Sequence, residues 1–233
     1  MDPEFGFSSP RPRSFKLSPS DLVFLWQECR RCFYQKVVDG VPRPRSPMPK
    51  IFTNIDSLMK LRLNGRRTEE LAPGMPPGLL DFGEKWVESV PIRISGFSTT
   101  VALRGRLDIA IRLDDGTHGV VDFKTAERRA EHVPLYGRQL HSYAWALERP
   151  AAGRFRLDAV RALGLLVFEP DAFSNQPGLG YLTGRLAWIE VPRNDAAFTE
   201  FLAQVVSVLD RPTPPLPSED CAWCQRGLYE RIA

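Results

Sequence analysis

The stretch GRLDIAIRLDDGTHGVVDFKTAE, Gly105 to Glu127, decides the fold. Apolar and polar side chains alternate on both sides of Asp114-Asp115-Gly116, the pattern of two half-buried strands joined by a turn. Two turns are available. A two-residue Asp115-Gly116 turn would put Leu107, Ile109 and Ile111 on the opposite face from Val121 and Phe123. A three-residue loop, a type I turn closed by glycine in the left-handed region, pairs Leu113 with Thr117, Ile109 with Val121 and Leu107 with Phe123. Burial favours the second register, because it gathers the apolar residues on one face. It also sets Asp108 directly opposite Asp122, with Lys124 beside Arg106 two residues further along that same face.

Like charges placed opposite each other on a sheet destabilise it. A divalent cation shared by the two carboxylates would offset the repulsion, and oxygen ligands suit Mg²⁺ or Mn²⁺. Such an ion activates water and steadies the charge that develops at phosphorus. Lys124, on the same side, is placed to orient the attacking water and neutralise the transition state. On this reading Asp108→Ala or Asp122→Ala abolishes the chemistry of the bound ion without unfolding the chain, and raises stability in metal-free buffer by relieving repulsion. The plainer reading is a surface ladder in which Lys124 and Arg106 pair with the aspartates.

Working outward, Ser18 as N-cap and Pro19 at the first helical position open a helix, with Asp21 placed to reach back to the cap. Leu22, Leu25, Trp26, Cys29, Cys32 and Phe33 then share one helical face. Val41–Pro49 and Ala72–Gly78 are proline-rich breakers, with a helix over Ile55–Leu63 between them. Strands are expected near Trp86–Ile94, Thr100–Leu113 and His118–Thr125, as a meander. A helix over Pro134–Glu148, strands over Arg161–Glu169 and Tyr181–Val191, and a helix over Asn194–Leu209 capped by Asn194 complete the pattern. This order predicts an α/β fold with a mixed central β-sheet flanked by helices.

The chain has 233 residues, 43% hydrophobic and 25% charged, enough for one sizeable core. We expect a single domain over residues 6–233 with its core at about 84–210; Met1–Phe5, MDPEF, reads as a cloning remnant. The apolar run Ala162–Phe168 is far below the ~20 residues of a membrane span, so no membrane segment and a cytoplasmic location are expected. The net charge is only +3, but residues 1–67 carry 13 Lys or Arg against 6 Asp or Glu. A basic face of that kind is able to follow a phosphate backbone.

All four cysteines fall in two C-x-x-C pairs, Cys29 with Cys32 and Cys221 with Cys224. In a reducing compartment this favours one shared tetrahedral metal site over disulfides. Spacing alone does not separate structural Zn²⁺ from an iron–sulfur cluster. Such a site would staple residues 18–36 to residues 217–233. Having little core of their own, these segments would then arch over the cleft and let a single strand thread beneath. Trp26, Phe33, Tyr34 and Trp223, with Arg30, Arg31 and Lys36, lie near the staple, either as core or as a surface that stacks bases and pairs phosphates.

Three motifs in order carry a resemblance to a known family. Gly105-Arg106-Leu107-Asp108 matches G-x-x-D, Asp122-Phe123-Lys124 matches D-x-K, and Gln139 with Tyr143 matches Q-x-x-x-Y on one helix face. The chain thus resembles the RecB-like branch of the PD-(D/E)XK nuclease superfamily, with a restriction-endonuclease-like core. The resemblance implies that Asp108 and Asp122 bind Mg²⁺ or Mn²⁺, that Lys124 is catalytic, and that Gln139 and Tyr143 support the site or touch DNA. It implies a metal-dependent deoxyribonuclease, an exonuclease acting on single-stranded DNA ends or flaps in DNA repair or CRISPR and phage defence. The alternative is a catalytically weak DNA-binding or scaffolding subunit of a larger nuclease or integration complex, with protein partners. Several relatives place a metal-binding histidine upstream of the sheet, but the histidines here are His118, His132 and His141. Asp56 is the preferred substitute, ahead of Glu69, Glu70 and Glu84. The resemblance also implies a 4Fe–4S cluster on Cys29, Cys32, Cys221 and Cys224, with structural Zn²⁺ as the alternative; the CRISPR-adaptation-type relatives that hold such a cluster usually split their four cysteines one plus three. This chain splits two plus two, and position 230 is Glu230 where a last cysteine would fall.

Overall fold

The computed structural model describes residues 13–44, 49–125 and 132–225. Met1–Phe5, Glu230 and the end of the 217–233 segment lie outside the described residues. In chain order the elements are β1 (Ser14–Leu17), α1 (Pro19–Glu28), α2 (Arg30–Val37), α3 (Lys50–Leu63), β2 (Gly78–Asp81), β3 (Lys85–Glu88), β4 (Ile92–Arg93), β5 (Thr100–Leu107), β6 (Ile109–Leu113) and β7 (His118–Thr125). There follow α4 (His132–Glu148), β8 (Val160–Gln176), β9 (Leu179–Glu190), α5 (Asp195–Leu209) and a short α6 (Ala222–Gln225).

The strands form two mixed sheets. The larger has the order β2-β6-β7-β8-β9, with β7 and β8 parallel and the other pairs antiparallel. In the smaller, β5 pairs in parallel with β1 and antiparallel with β3 and β4. A parallel pair needs a crossover connection, and α4 supplies it between β7 and β8. The β6–β7 hairpin has the register that burial selects, with Ile109 opposite Val121 and the Leu113 N–H bonded to Thr117 O at 2.9 Å. Its loop closes through Gly116 at φ 82, the left-handed position that glycine adopts freely.

The expected continuous strand Thr100–Leu113 is broken at Asp108. Leu107 pairs with Lys85 of β3 and not with Phe123, because the chain passes from the smaller sheet to the larger one at that residue. Leu107 therefore joins the core with Val87, Leu103 and Leu140, whereas Ile109, Ile111, Val121 and Phe123 pack with Met59, Met75 and Leu80 on the other side. Arg106 moves with Leu107, so it pairs with Glu84 and not beside Lys124.

The single N-terminal helix is also divided. Cys29 is extended, at φ −160 and ψ 113, and separates α1 from α2. The Ser18 side chain makes no capping bond, and Asp21 pairs with Lys36 Nζ at 2.6 Å in place of reaching back. The predicted face is nevertheless the buried one: Leu22, Trp26, Cys29, Cys32 and Phe33 are at most 3% exposed and belong to the main core. The N-terminal segment is thus core, contrary to the expected arch of coreless segments. Trp26, Phe33 and Tyr34 are closed to a nucleic acid, with Tyr34 Oη donating to Arg211 O at 3.0 Å.

Further corrections concern length. The strand expected over Trp86–Ile94 is two strands, β3 and β4, while β1 and β2 were not anticipated at all. β8 and β9 run past the expected strands as a solvent-exposed two-stranded arm, satisfying each other's backbone without a core. The helix expected over Ile55–Leu63 begins at Lys50. The last long helix is as predicted: Asn194 Oδ1 accepts the Ala197 N–H at 2.9 Å, and Phe198, Phe201, Leu202, Val205 and Leu209 lie buried at helical spacing. Among the described residues no helix is long and apolar enough to cross a membrane.

Candidate active site and cysteine centre

The break at Asp108 builds the site. Released from a ladder, its carboxylate accepts the Phe123 N–H through Oδ2 at 3.2 Å and receives Lys60 Nζ on Oδ1 at 2.7 Å. Its side chain also lies against that of Asp122. Asp122 points from the middle of β7 toward α4, where Gln139 Nε2 donates to Oδ1 at 2.9 Å and Lys124 Nζ forms an ion pair with Oδ2. Lys124 Nζ also stands 4.7 Å from the centroid of the Tyr136 ring. Tyr143, one helical turn beyond Gln139, donates its hydroxyl to Arg106 O at 2.8 Å, fixing the backbone two residues before Asp108. Gly105 leaves room for this: a Cβ there would stand 2.8 Å from Pro19 Cδ and 3.0 Å from Tyr143 Cε1. All five motif residues, Asp108, Asp122, Lys124, Gln139 and Tyr143, are thus gathered around one point.

Burial dominates the electrostatics. Asp122 is 3% exposed; desolvation pushes its carboxyl up to about 6, with Lys124 pulling down and Asp108 pushing further up. Burial alone would lower Lys124, but its attraction to Asp122 raises it above the usual lysine range. Burial also raises the Tyr143 phenol, which keeps it a neutral donor.

Asp56 reaches the edge of the site through an intermediary. Lys60, one turn along α3, places its ammonium 2.7 Å from Asp56 Oδ2, 3.0 Å from Glu84 Oε1 and 2.7 Å from Asp108 Oδ1. Burial opposes the charge, yet these hydrogen bonds hold Lys60 well above its ordinary range. Glu69 and Glu70 pair with Arg67 and Arg66 instead. Sequence reading missed Lys60, Tyr136 and the role of Glu84; the i,i+4 relation of Lys60 to Asp56 was the available signal. The repulsion expected between the two aspartates is already offset without a metal ion, by Lys60 on Asp108 and Lys124 on Asp122. Truncating either aspartate strands a lysine and does not simply relieve repulsion.

The family described as the PD-(D/E)XK nuclease superfamily matches residues 54–227, which span G-x-x-D, D-x-K and Q-x-x-x-Y. The chain belongs to the PD-(D/E)XK nuclease superfamily. A solved structure described as "Crystal structure of SSO0001" is similar at 16% identity over 91% of this chain and 84% of that one, with a TM-score of 0.43. No curated protein matches. In this superfamily member the donor set at Asp108 and Asp122, two touching carboxylates with one nearly fully buried, fits a hard divalent ion.

The cysteines of this PD-(D/E)XK protein also converge. Cys32 Sγ lies 3.6 Å from Cys221 Sγ and 3.4 Å from Cys224 Sγ, and Cys29 Sγ lies 3.8 Å from Cys224 Sγ. Among the described residues they are the one group of three or more His, Cys, Asp or Glu side chains whose ligand atoms come together, all within 4.8 Å of one another. Cys29, Cys32 and Cys221 are fully buried. Burial works against a charged Cys29, but hydrogen bonds from Ser218 and Cys32 bring its thiol down to about 6; burial drives Cys224 the other way. Trp223 packs partly buried against the core beside this centre.

Proposed function

We propose that the chain is a metal-dependent nuclease that hydrolyses DNA phosphodiester bonds. The observation that carries this reading is the closed set of contacts joining Asp108, Asp122, Lys124, Gln139 and the Tyr143-braced backbone. Asp108 and Asp122 would hold a Mg²⁺ or Mn²⁺ ion, with Asp56, which shares Lys60 with Asp108, as the upstream carboxylate. When bound, such an ion polarises a phosphate oxygen and makes water acidic enough to supply hydroxide near neutral pH. Lys124, held between Asp122 and the Tyr136 ring, orients the attacking water and neutralises charge growing on the phosphate. Gln139 fixes the rotamer of Asp122, and Tyr143 fixes the strand joint that presents Asp108.

The sequence resemblance supports single-stranded DNA ends or flaps as the substrate, exonuclease action, the RecB-like branch, and a place in repair or in CRISPR and phage defence. The test is degradation of end-labelled single-stranded DNA with Mg²⁺ or Mn²⁺. Lys124→Ala is expected to lose at least about 100-fold in rate while keeping DNA binding. Undiminished cutting by that variant would refute the assignment. One observation favours a second reading, a DNA-binding or scaffolding module: Lys60 already neutralises the Asp108 side of the site. Salt-sensitive DNA binding without cleavage under any divalent metal would establish it.

A further inference from the structure

We propose that the four cysteines hold a single tetrahedral metal ion of the zinc type, and that a four-iron cluster does not fit between them. The argument is one of size. A Zn–S bond is about 2.3 Å, so four sulfurs at the corners of a tetrahedron around one ion stand about 3.8 Å apart. Three of the separations across the centre are 3.4, 3.6 and 3.8 Å, and none of the four ligand atoms is more than 4.8 Å from another. A 4Fe–4S cluster puts irons and sulfides between its cysteine sulfurs and would spread them to about 6 Å. Opening the site that far would displace side chains that are fully buried in the core on both sides, Cys29 and Cys32 from the N-terminal helices and Cys221 from the tail.

The two halves of the centre are alike. Cys29 precedes α2 and Cys221 precedes α6, and each carbonyl accepts a hydrogen bond from the residue four further on, Phe33 and Gln225, both at 3.0 Å. Each C-x-x-C pair thus turns two sulfurs inward from one helical turn. Binding one divalent ion releases the thiol protons and leaves four thiolates around two positive charges, a net charge of −2. Arg43 faces that charge. Its side chain is 10% exposed, Nη1 is held by Glu28 at 2.6 Å, and Nη2 donates to Cys221 Sγ at 3.1 Å. A buried guanidinium donating to a thiolate is the outer support that metal sites use to raise affinity. The centre therefore ties the N-terminal helices to the tail as a closed structural site, and this inference does not depend on the nuclease reading.

The test uses the full chain purified without oxygen, analysed for metals and acid-labile sulfide, and then exchanged with Co²⁺. One zinc per chain, or a metal-free chain that takes up one Co²⁺ with the ligand-field bands of a tetrahedral thiolate site, supports the proposal. About four irons with four sulfides and broad absorption toward the blue would overturn it, as would a chain that binds no Co²⁺. Arg43→Met is expected to weaken zinc about tenfold in competition with a chelator, with Arg43→Lys recovering part of the loss. Cys224→Ser, at the least buried ligand, should keep the fold while altering the Co²⁺ spectrum. An unchanged Co²⁺ spectrum would remove Cys224 from the site and refute the four-ligand assignment.

Discussion

Metal-free stability should carry the signature of Asp122 between about pH 4 and pH 6. Its carboxyl is raised from 3.8 to about 6, chiefly by burial. The folded chain therefore holds this proton more tightly than the unfolded one. The resulting stabilisation is complete below 3.8 and is lost as pH rises to about 6, where the charge must be carried inside the fold. At 1.36 kcal/mol per unit, the loss is on the order of 3 kcal/mol. Carboxylates with lowered values, such as Glu88, Asp195 and Asp210, act in the opposite direction, losing stability as pH falls through their depressed values. Asp122→Asn removes the first contribution and leaves those of Glu88, Asp195 and Asp210 in place.

The assay is urea unfolding of both proteins in EDTA from about pH 4 to 8. The stability of the parent minus that of the variant should fall by on the order of 3 kcal/mol up to pH ~6 and then level off. A difference that stays flat through that window would refute the account of a buried, desolvated Asp122. Lys124→Met supplies an internal check: Lys124 opposes the upward shift, so its removal should move the window to higher pH.

Gly105→Ala should cost about 1–3 kcal/mol by overpacking, because a Cβ there meets Pro19 and the Tyr143 ring at 2.8 and 3.0 Å; a thermal melt equal to the parent's would refute it. Tyr143→Phe leaves Arg106 O without its donor and should cost about 1 kcal/mol in unfolding experiments, with a larger fall in kcat than in DNA affinity. Lys60→Met should tighten Mn²⁺ binding about tenfold in an electron-resonance titration, because one protein cation leaves Asp108. Unchanged Mn²⁺ affinity would show that Lys60 does not compete, while loss of binding in Asp122→Asn independently checks the metal site.

The hairpin was legible because only one register buries Ile109, Ile111, Val121 and Phe123 together, and that register brings Asp108, at the end of the paired segment, close to Asp122. The α5 cap and the buried face of α1 and α2 were legible for similar local reasons. The break at Asp108 was not. Alternation continues unbroken through Leu107, Asp108 and Ile109, and only the pairing of Lys85 with Leu107 diverts the strand. The break at Cys29 was hidden in the same way, since its burial fits a continuous helix as well as a bent one. Only the i,i+4 relation of Lys60 to Asp56 was local; nothing in the sequence joins α3 to Glu84 and Asp108, which tertiary packing brings together.

These contacts change how a divalent ion meets the site. Two aspartates facing each other with no counter-charge would bind a cation simply by shedding repulsion. Here Asp108 already holds Lys60, and Asp122 already holds Lys124. An incoming ion must therefore exchange with an ammonium, and the net gain is the difference between two strong interactions. The exchange falls most naturally on Lys60. Lys124 is held by the buried Asp122 and the face of Tyr136, whereas Lys60 rides on α3, whose only buried side chain is Met59 and whose Ile51, Phe52, Leu58 and Leu61 are exposed. A helix so lightly packed can shift at low cost. Cavities of about 410 and 370 Å³ flank it, one lined by Phe52, Asp56 and Lys124 and the other by Lys60, Glu84 and Asp108. If Lys60 swings from Asp108 toward Glu84, the oxygen it leaves becomes available while its positive charge stays within the site. The charge that keeps the metal-free protein stable then remains close enough to attract a phosphate.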